Sequence, residues 1–147
     1  MNKQNKNIMT QEDKELLLKD LCARLPYGIK AAYYGVEEEC ETWDEIEGVT
    51  LGEDFGGYVD IGQYSLPIEC IKPYLFPMSS ITDEPGTPLE INKYGDITIK
   101  DDFYGYNQYT DLEIYSAVVD WLNKNHFDYR GLIEKSLALD ATGLNIY

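Results

Sequence analysis

The amino-acid sequence predicts a single α+β domain, in which an N-terminal and a C-terminal helix pack on an antiparallel sheet or small β-barrel. Two stretches have apolar residues at helical spacing, and between them short segments alternate apolar and polar residues around turns that contain glycine or proline. The 147 residues fit one domain of ordinary size. We place this domain at 10–147 and expect residues 1–9, which are rich in Asn and Lys, to be a disordered tail.

The first helix is predicted over 11–24. Thr10 supplies a hydroxyl at the N-cap and Asp13 follows three residues later, which is a variant of the capping box. Pro26 ends the helix, because the residue before a proline avoids the α region. The apolar residues at helical spacing are Leu17, Leu18, Leu21, Cys22 and Leu25.

The segment that follows is typical of β structure. Short turns separate its apolar stretches, so we expect an antiparallel meander. Pro67 would restrict the fourth strand to an edge of the sheet or would stand at the start of the strand, since proline cannot donate a ladder hydrogen bond. The predicted strands cover residues 27–34, 42–51, 58–62 and 65–71.

Two features come before the second helix. Residues 72–77 hold two prolines around three large apolar side chains, and we expect an extended or single-turn segment laid over the core. Residues 89–104 alternate again around a turn at 94–96, which predicts a late hairpin.

The segment 109–124 has the clearest helical pattern in the chain. Thr110 and Glu113 form a complete capping box at its start. Beyond it, Asp128 is expected to cap a short helix over about 129–137. The apolar stripe that we expect to pack on the sheet consists of Leu112, Tyr115, Val118, Val119 and Leu122.

The charge balance excludes several classes of function. The chain has 27 acidic and 12 basic side chains, a net charge of -15, so we expect neither direct nucleic-acid binding nor membrane association. Because no stretch approaches the roughly 20 apolar residues of a membrane span and no secretory signal is recognisable, we expect a cytoplasmic protein. The three cysteines form no C-x-x-C pair, which favours reduced thiols.

His126 is the only histidine in the chain, and Asp128 and Arg130 follow it closely. Two interpretations stay open: a general base that Asp128 orients, or a structural histidine hydrogen-bonded to a backbone or carboxylate group at a helix end. The sequence contains no calcium-loop, phosphate-loop or serine-nucleophile motif. We therefore expect no metal and no cofactor, and we favour a protein that is not an enzyme.

The negative charge is concentrated between residues 31 and 120, where three basic side chains stand against twenty acidic ones. The chain also has 13 tyrosines, whose apolar rings and polar tips suit binding surfaces. We interpret the region as a contact surface for a basic partner protein and predict a non-catalytic binding or accessory function. The residues assigned to this surface are Glu37, Glu38, Glu39, Glu41, Asp44, Glu45, Tyr33 and Tyr34.

Other functions stay open beside this one. A small enzyme would use His126 as its general base. A nucleic-acid mimic would place carboxylates where phosphates lie and inhibit a DNA-binding protein. An assembly component would form a stable homo-oligomer, and a plain acidic surface would serve solubility alone.

Three stretches carry a resemblance. Residues 9–28 read MTQEDKELLLKDLCARLPYG, residues 121–133 read WLNKNHFDYRGLI and continue to LAL at 137–139, and residues 72–75 read KPYL. Together they resemble a group of small uncharacterised proteins from gut bacteria and their prophages. The resemblance implies a cytoplasmic, phage-derived accessory protein that starts at Met9, and it brings no activity and no catalytic residues with it.

Overall fold

An open six-stranded sheet with a helix on its inner face forms the centre of the fold. The computed structural model describes residues 9–35, 43–52, 57–82, 84, 86–100 and 110–147, so the predicted tail lies outside the described residues except for Met9. The helices are α1 (Gln11–Arg24) and α2 (Asp111–Lys124). The strands are β1 (Lys30–Tyr33), β2 (Asp44–Leu51), β3 (Gly57–Ile61), β4 (Tyr64–Pro67), β5 (Ile71–Leu75), β6 (Leu89–Ile91), β7 (Ile97–Ile99) and β8 (Leu139–Asp140).

The strand order is β4-β3-β2-β1-β5-β8, and each pair is antiparallel except β5 with β8. β6 and β7 form a separate antiparallel pair, which confirms the predicted hairpin. The predicted α+β class is confirmed. Of the two expected sheet forms, the described residues form the open sheet and not the closed barrel, since β4 and β8 are its two edges. Pro67 lies in the edge strand β4, as predicted.

α1 begins and ends where the sequence predicts. The Thr10 hydroxyl accepts a hydrogen bond from the Asp13 amide at 3.1 Å, which satisfies one of the free amides of the first turn. Leu17 and Leu21 are fully buried in the core beneath the sheet. A short 3-10 turn (Leu25–Tyr27) then leads the chain towards β1.

Of the two forms expected for residues 72–77, the structure shows the extended one at 72–75, but as strand β5 inside the sheet between β1 and β8 and not as a segment laid over it. A strand interior is unusual for proline, which lacks an amide donor. The Tyr34 amide bonds to the Cys70 carbonyl, so these two residues form a hydrogen-bonded pair of the antiparallel ladder. Such pairs alternate with pairs that share no hydrogen bond. Counting along the register, Pro73 and Ala31 form a pair without a hydrogen bond. Pro73 therefore has no ladder bond to β1 to lose.

The face that α2 turns to the core agrees with the predicted stripe at Val118 and Leu122 and differs from it in the first turns. The start is confirmed, because the Thr110 hydroxyl accepts a hydrogen bond from the Glu113 amide at 3.2 Å. Leu112 and Tyr115 are 78% and 60% exposed, however, whereas Ile114 is buried. The helix packs on the β6–β7 hairpin, so the position of the hairpin selects the buried face. The buried residues of this second core are Ile81, Leu89, Ile114, Val118 and Leu122.

The prediction of a short helix over 129–137 is also wrong. Asp128 does act as a cap, since its two oxygens each accept a backbone amide at 2.8 Å, from the residues four and five positions later. Gly131 and Ser136 have φ values of 75° and 61°. These left-handed conformations interrupt an α-helix, and the segment forms a series of turns instead.

Candidate functional site

One face of the six-stranded sheet, here named the outer face, carries the candidate residues. Side chains alternate along β1, β3 and β5 between the core below and this face above. α1 packs on the opposite face and α2 packs on the hairpin, so neither helix covers the outer face. Its side chains are Lys30 and Ala32 in β1, Glu45 and Thr50 in β2, Tyr58 and Asp60 in β3, and Lys72 and Tyr74 in β5.

Four carboxylates of β2 and β3 are here named the acidic half-face: Asp44, Glu45, Glu47 and Asp60. Glu45 and Asp60 lie on the outer face, whereas Asp44, which pairs with the core residue Ala31, points to the opposite face beside Gly62. Asp44 and Glu45 begin β2, Glu47 lies at an irregularity of the same strand, and Asp60 faces Gly48 across the ladder. Among the described residues, none of the four forms an ion pair with a lysine or arginine. Like charges on neighbouring strands repel each other, so this half of the sheet has a negative field that the described side chains do not neutralise.

The lysines of the outer face lie on its other half. Lys30 is opposite Glu45 in register, but its amine bonds to the Ile146 carbonyl and lies 4.7 Å from the centre of the Trp43 ring. Lys72 is in β5, further from the carboxylates. The outer face is therefore divided in charge, with carboxylates on β2 and β3 and amines on β1 and β5.

Three exposed aromatic side chains lie on the same strands or directly beside them: Trp43 precedes β2, Tyr34 follows β1 and Tyr58 lies in β3. Trp43, Tyr34 and Tyr58 are 39%, 48% and 48% exposed. Burial and the neighbouring Tyr74 raise the pKa of the Tyr34 hydroxyl, so this group is a neutral phenol at pH 7. Tyr33, which the sequence placed in the same binding set, points into the core and packs on another tyrosine ring at 5.7 Å.

Half of the predicted binding set lies outside the described residues, namely Glu37, Glu38, Glu39 and Glu41. In the sequence these glutamates belong to the connection between β1 and β2. Tyr34 and Asp44 lie on either side of that connection. Because β1 and β2 pair side by side, the connection leaves and re-enters the sheet at the end where Asp44 and Glu45 lie.

His126, the predicted general base, lies just beyond α2 and is enclosed. The residue is 5% exposed, and its ring stacks on the Tyr147 ring with the centroids 3.8 Å apart. Nδ1 is buried and has no hydrogen-bond partner among the described residues, so this atom does not make the bond that the structural interpretation expected. Burial and the positive charges of Arg24 and Lys30 lower the imidazole pKa from 6.5 to about 4.

Asp128 and Arg130, the other residues of the general-base hypothesis, have different partners. The Asp128 oxygens accept two backbone amides. Arg130 Nη1 donates to an Asp20 oxygen at 2.9 Å, and its guanidinium lies 4.5 Å from the centre of the Tyr129 ring. The described structure contains no hydrogen bond from either residue to His126, so it does not assemble the three into a catalytic group.

A buried charge network that sequence reasoning missed connects α1 to the segment after α2. Arg24 is fully buried, and it donates to Asp20 at 2.9 Å and to the Phe127 carbonyl at 2.6 Å. Asp20, equally buried, also accepts from Arg130. The sequence does contain a signal for it, since Asp20 and Arg24 are four residues apart on the helix face that carries Leu21.

The Tyr147 hydroxyl bridges β1 and β5. It accepts a hydrogen bond from the Lys30 amide at 2.9 Å and donates one to the Tyr74 carbonyl at 2.8 Å. In the β1–β5 register these two backbone groups are at the next hydrogen-bonded position, so the hydroxyl inserts where the strands would otherwise bond directly. The ring also lies 5.9 Å from the ring of Phe76. These four residues, with His126 as the stacking partner, are here named the Tyr147 site.

No described group of three or more His, Cys, Asp or Glu side chains is placed to hold a metal ion, and neither described helix is long and apolar enough to cross a membrane. Comparison of the chain with protein-family models, with curated proteins and with solved structures finds no match. The outer face and the Tyr147 site are therefore the two regions of the described structure to which we assign a function below.

Proposed function

We propose that the protein is a non-catalytic binding protein that engages a basic partner protein through the acidic half-face. One observation carries the proposal: the carboxylates of β2 and β3, of which Glu45 and Asp60 lie on the outer face, have no ion-pair partner among the described residues. Lysine and arginine side chains of a partner would neutralise a field that the described part of the domain leaves uncompensated. Such a surface selects partners by charge and increases the rate of association.

Charge alone would give weak binding, because one exposed ion pair contributes only about 0–1 kcal/mol. Trp43, Tyr34 and Tyr58 supply the apolar contact area that a stable interface also needs. Their rings offer large, stiff surfaces with polar tips. The combination of exposed aromatic rings with unpaired carboxylates therefore supports recognition of a protein better than it supports a purely solubilising surface.

We include Glu37, Glu38, Glu39 and Glu41 in the proposed surface because the sequence attaches them between Tyr34 and Asp44. Catalysis has less support, since His126 is enclosed and Asp128 is engaged by backbone amides. An accessory role in the cytoplasm, as the resemblance to the prophage-associated group implies, is part of the same proposal.

The test compares the protein with the triple variant Glu45→Gln, Glu47→Gln and Asp60→Asn. Both are immobilised, exposed to bacterial lysate at low and high salt, and the retained proteins are identified and their affinities measured. We expect a basic protein that binds at low salt and is released at high salt, because screening weakens exposed charge pairs. The triple variant should lose this protein.

The matched control is Glu12→Gln, Asp120→Asn and Glu134→Gln. It changes the net charge by the same amount at exposed positions on the helices and the C-terminal turns, and it should retain the partner. Equal loss in both variants would show that net charge alone drives capture and would reject the acidic half-face.

The alternative functions give distinct results in the same assay. Release of the captured protein by duplex DNA would indicate nucleic-acid mimicry in place of an ordinary protein interface. A homo-oligomer in light scattering that only the half-face variant disrupts would indicate an assembly component.

A further inference from the structure

The imidazole of His126 is poorly placed to carry a positive charge in the Tyr147 site, because an imidazolium has a proton on both nitrogens. Its Nδ1 is buried and lacks an acceptor among the described residues, and one face of the ring is covered by the Tyr147 ring at 3.8 Å. A proton added at Nδ1 would create a charged donor without a protein partner. Such a group is strongly unfavourable in an enclosed site.

The charges around His126 make protonation still less favourable. Arg24 and Lys30 are positive and act on the imidazole together with burial. Asp20 is already engaged by two guanidinium groups and Asp128 by two amides. The charged and titratable groups of the neighbouring elements are Asp20 and Arg24 of α1, Lys30 of β1, Glu45 of β2, Asp128 and Arg130 after α2, and Tyr147.

We propose that protonation of His126 expels Tyr147 from its site, so that the segment 142–147 detaches from the sheet while both cores stay folded. An imidazolium would be attracted to the face of the Tyr147 ring, but that ring already has the Lys30 amine 5.4 Å from its centre. Adding a cation beside Arg24 and Lys30 in a buried position outweighs this attraction. The proposal goes beyond the proposed function and does not rest on it.

The segment 142–147 is suited to local release because few contacts hold it. In the described structure the sheet holds it through the bond from Lys30 to the Ile146 carbonyl, the buried Ile146 side chain and the Tyr147 contacts. The Thr142 and Leu144 amides also bond to Asp140 and Ala141 at the base of the segment. Its release also has a compensation, since the Lys30 amide and the Tyr74 carbonyl become free to bond directly in the β1–β5 ladder. Segments with so few anchors open before the core does.

Detachment would change the surface of the domain. The rings of His126 and Phe76 and the amine of Lys30, which lies beside Trp43, would lose their cover. Acid would thereby convert a covered end of the sheet into an exposed surface that is both cationic and aromatic.

The sign of the pH dependence follows from the lowered pKa. The closed form binds the proton with a pKa of about 4, against 6.5 for a free imidazole. Closure is therefore fully stable above pH 6.5. As the pH falls from 6.5 towards 4, the ratio of the closed form to the detached form falls by up to about tenfold for each pH unit.

The experiment is a pH titration of the whole chain by NMR, in which the single imidazole has one unambiguous ring signal. We expect the His126 ring to titrate with a midpoint below 6.5, and the Tyr147 ring signals to reach their unstacked positions with the same midpoint. The amides of Leu21 and Val59, both in the sheet core, should not move. Titration of His126 without movement of Tyr147, or release of Tyr147 only together with Leu21 and Val59, would overturn the proposal.

Two variants separate the imidazole from other acid-sensitive groups. His126→Phe keeps a ring that can stack but that cannot accept a proton, so Tyr147 should stay in place over the same pH range. Release at an unchanged pH in this variant would assign the effect to carboxylates and reject the proposal.

Tyr147→Phe keeps the ring and removes the hydroxyl bonds, so the His126 midpoint should rise towards 6.5 by roughly half a unit to one unit, the equivalent of one hydrogen bond. An unchanged midpoint would contradict the role of the hydroxyl.

Discussion

α1 and α2 are both 14 residues long and both begin at a threonine cap, yet they are held by different surroundings. α1 buries Leu17 and Leu21 in the large core of the six-stranded sheet, and its buried Arg24 bonds to groups beyond α2. α2 packs on a two-stranded hairpin and leaves Leu112 largely exposed. The difference shows that local sequence sets where a helix begins, whereas the surface it packs on sets how firmly it is held.

The largest effect is expected from Asp20→Ala, which removes the buried carboxylate that pairs with Arg24 and Arg130 and connects α1 to the segment after α2. Arg24 would remain buried without its carboxylate, and an unpaired buried charge of this kind destabilises a protein by about 3–5 kcal/mol. Urea unfolding monitored by circular dichroism measures the loss. The double variant Asp20→Leu with Arg24→Met should lose less than Asp20→Ala, because it leaves neither of the two charges buried alone. A loss below about 1 kcal/mol for Asp20→Ala would show that the network does not anchor α1.

Matched truncations compare the two cores directly. Leu21→Ala in the sheet core should reduce the free energy of unfolding by about 3–5 kcal/mol, and Leu122→Ala in the hairpin core by about 2–3 kcal/mol. Leu21 is completely buried and surrounded by the sheet, so its cavity cannot collapse as easily. Thermal and urea unfolding of both variants provide the values. The reverse order would mean that α2, not α1, is the more firmly held helix.

The two caps should give smaller and similar effects on global stability. Thr10→Ala and Thr110→Ala each remove one hydroxyl acceptor of a first-turn amide, with an expected loss of about 0.5–2 kcal/mol. Hydrogen exchange should distinguish them, since loss of the cap should reduce protection over more of α2 than of α1. Serine at either position keeps the acceptor and should restore most of the stability. Equal fraying of both helices would contradict the difference in anchoring.

The smallest effect is expected on the exposed face of α2. Leu112→Gln and Tyr115→Gln replace side chains that are mostly in solvent, so each should change the free energy of unfolding by no more than about 0.5 kcal/mol. Ile114→Gln is the matched buried control and should destabilise the protein by several times more, since it buries an amide. If Leu112→Gln proves as damaging as Ile114→Gln, the face of α2 that packs in solution differs from the one described.

Sequence reasoning succeeded where neighbouring residues decide the outcome. Both helix starts were predictable, because a threonine hydroxyl bonds to an amide only three residues away. The β6–β7 hairpin was predictable from its alternation and turn. The edge position of Pro67 agreed with the preference of proline for edge strands, but the same preference did not apply to Pro73, which faces a position of the ladder without a hydrogen bond. Of the predicted binding set, the sequence could place Asp44 and Glu45 near the start of a strand, but it could not show that Tyr33 points into the core.

Tertiary structure decided everything that depends on distant partners. It placed β5 in the sheet interior, chose Ile114 over Leu112 as the buried residue of α2, and paired Asp20 with Arg130 across 110 residues of sequence. It also enclosed His126 beneath Tyr147, which turned a candidate base into a group that resists protonation. The physical reason is that capping and turn formation act through bonds between near neighbours, whereas burial and charge pairing depend on which surfaces the folded chain brings together.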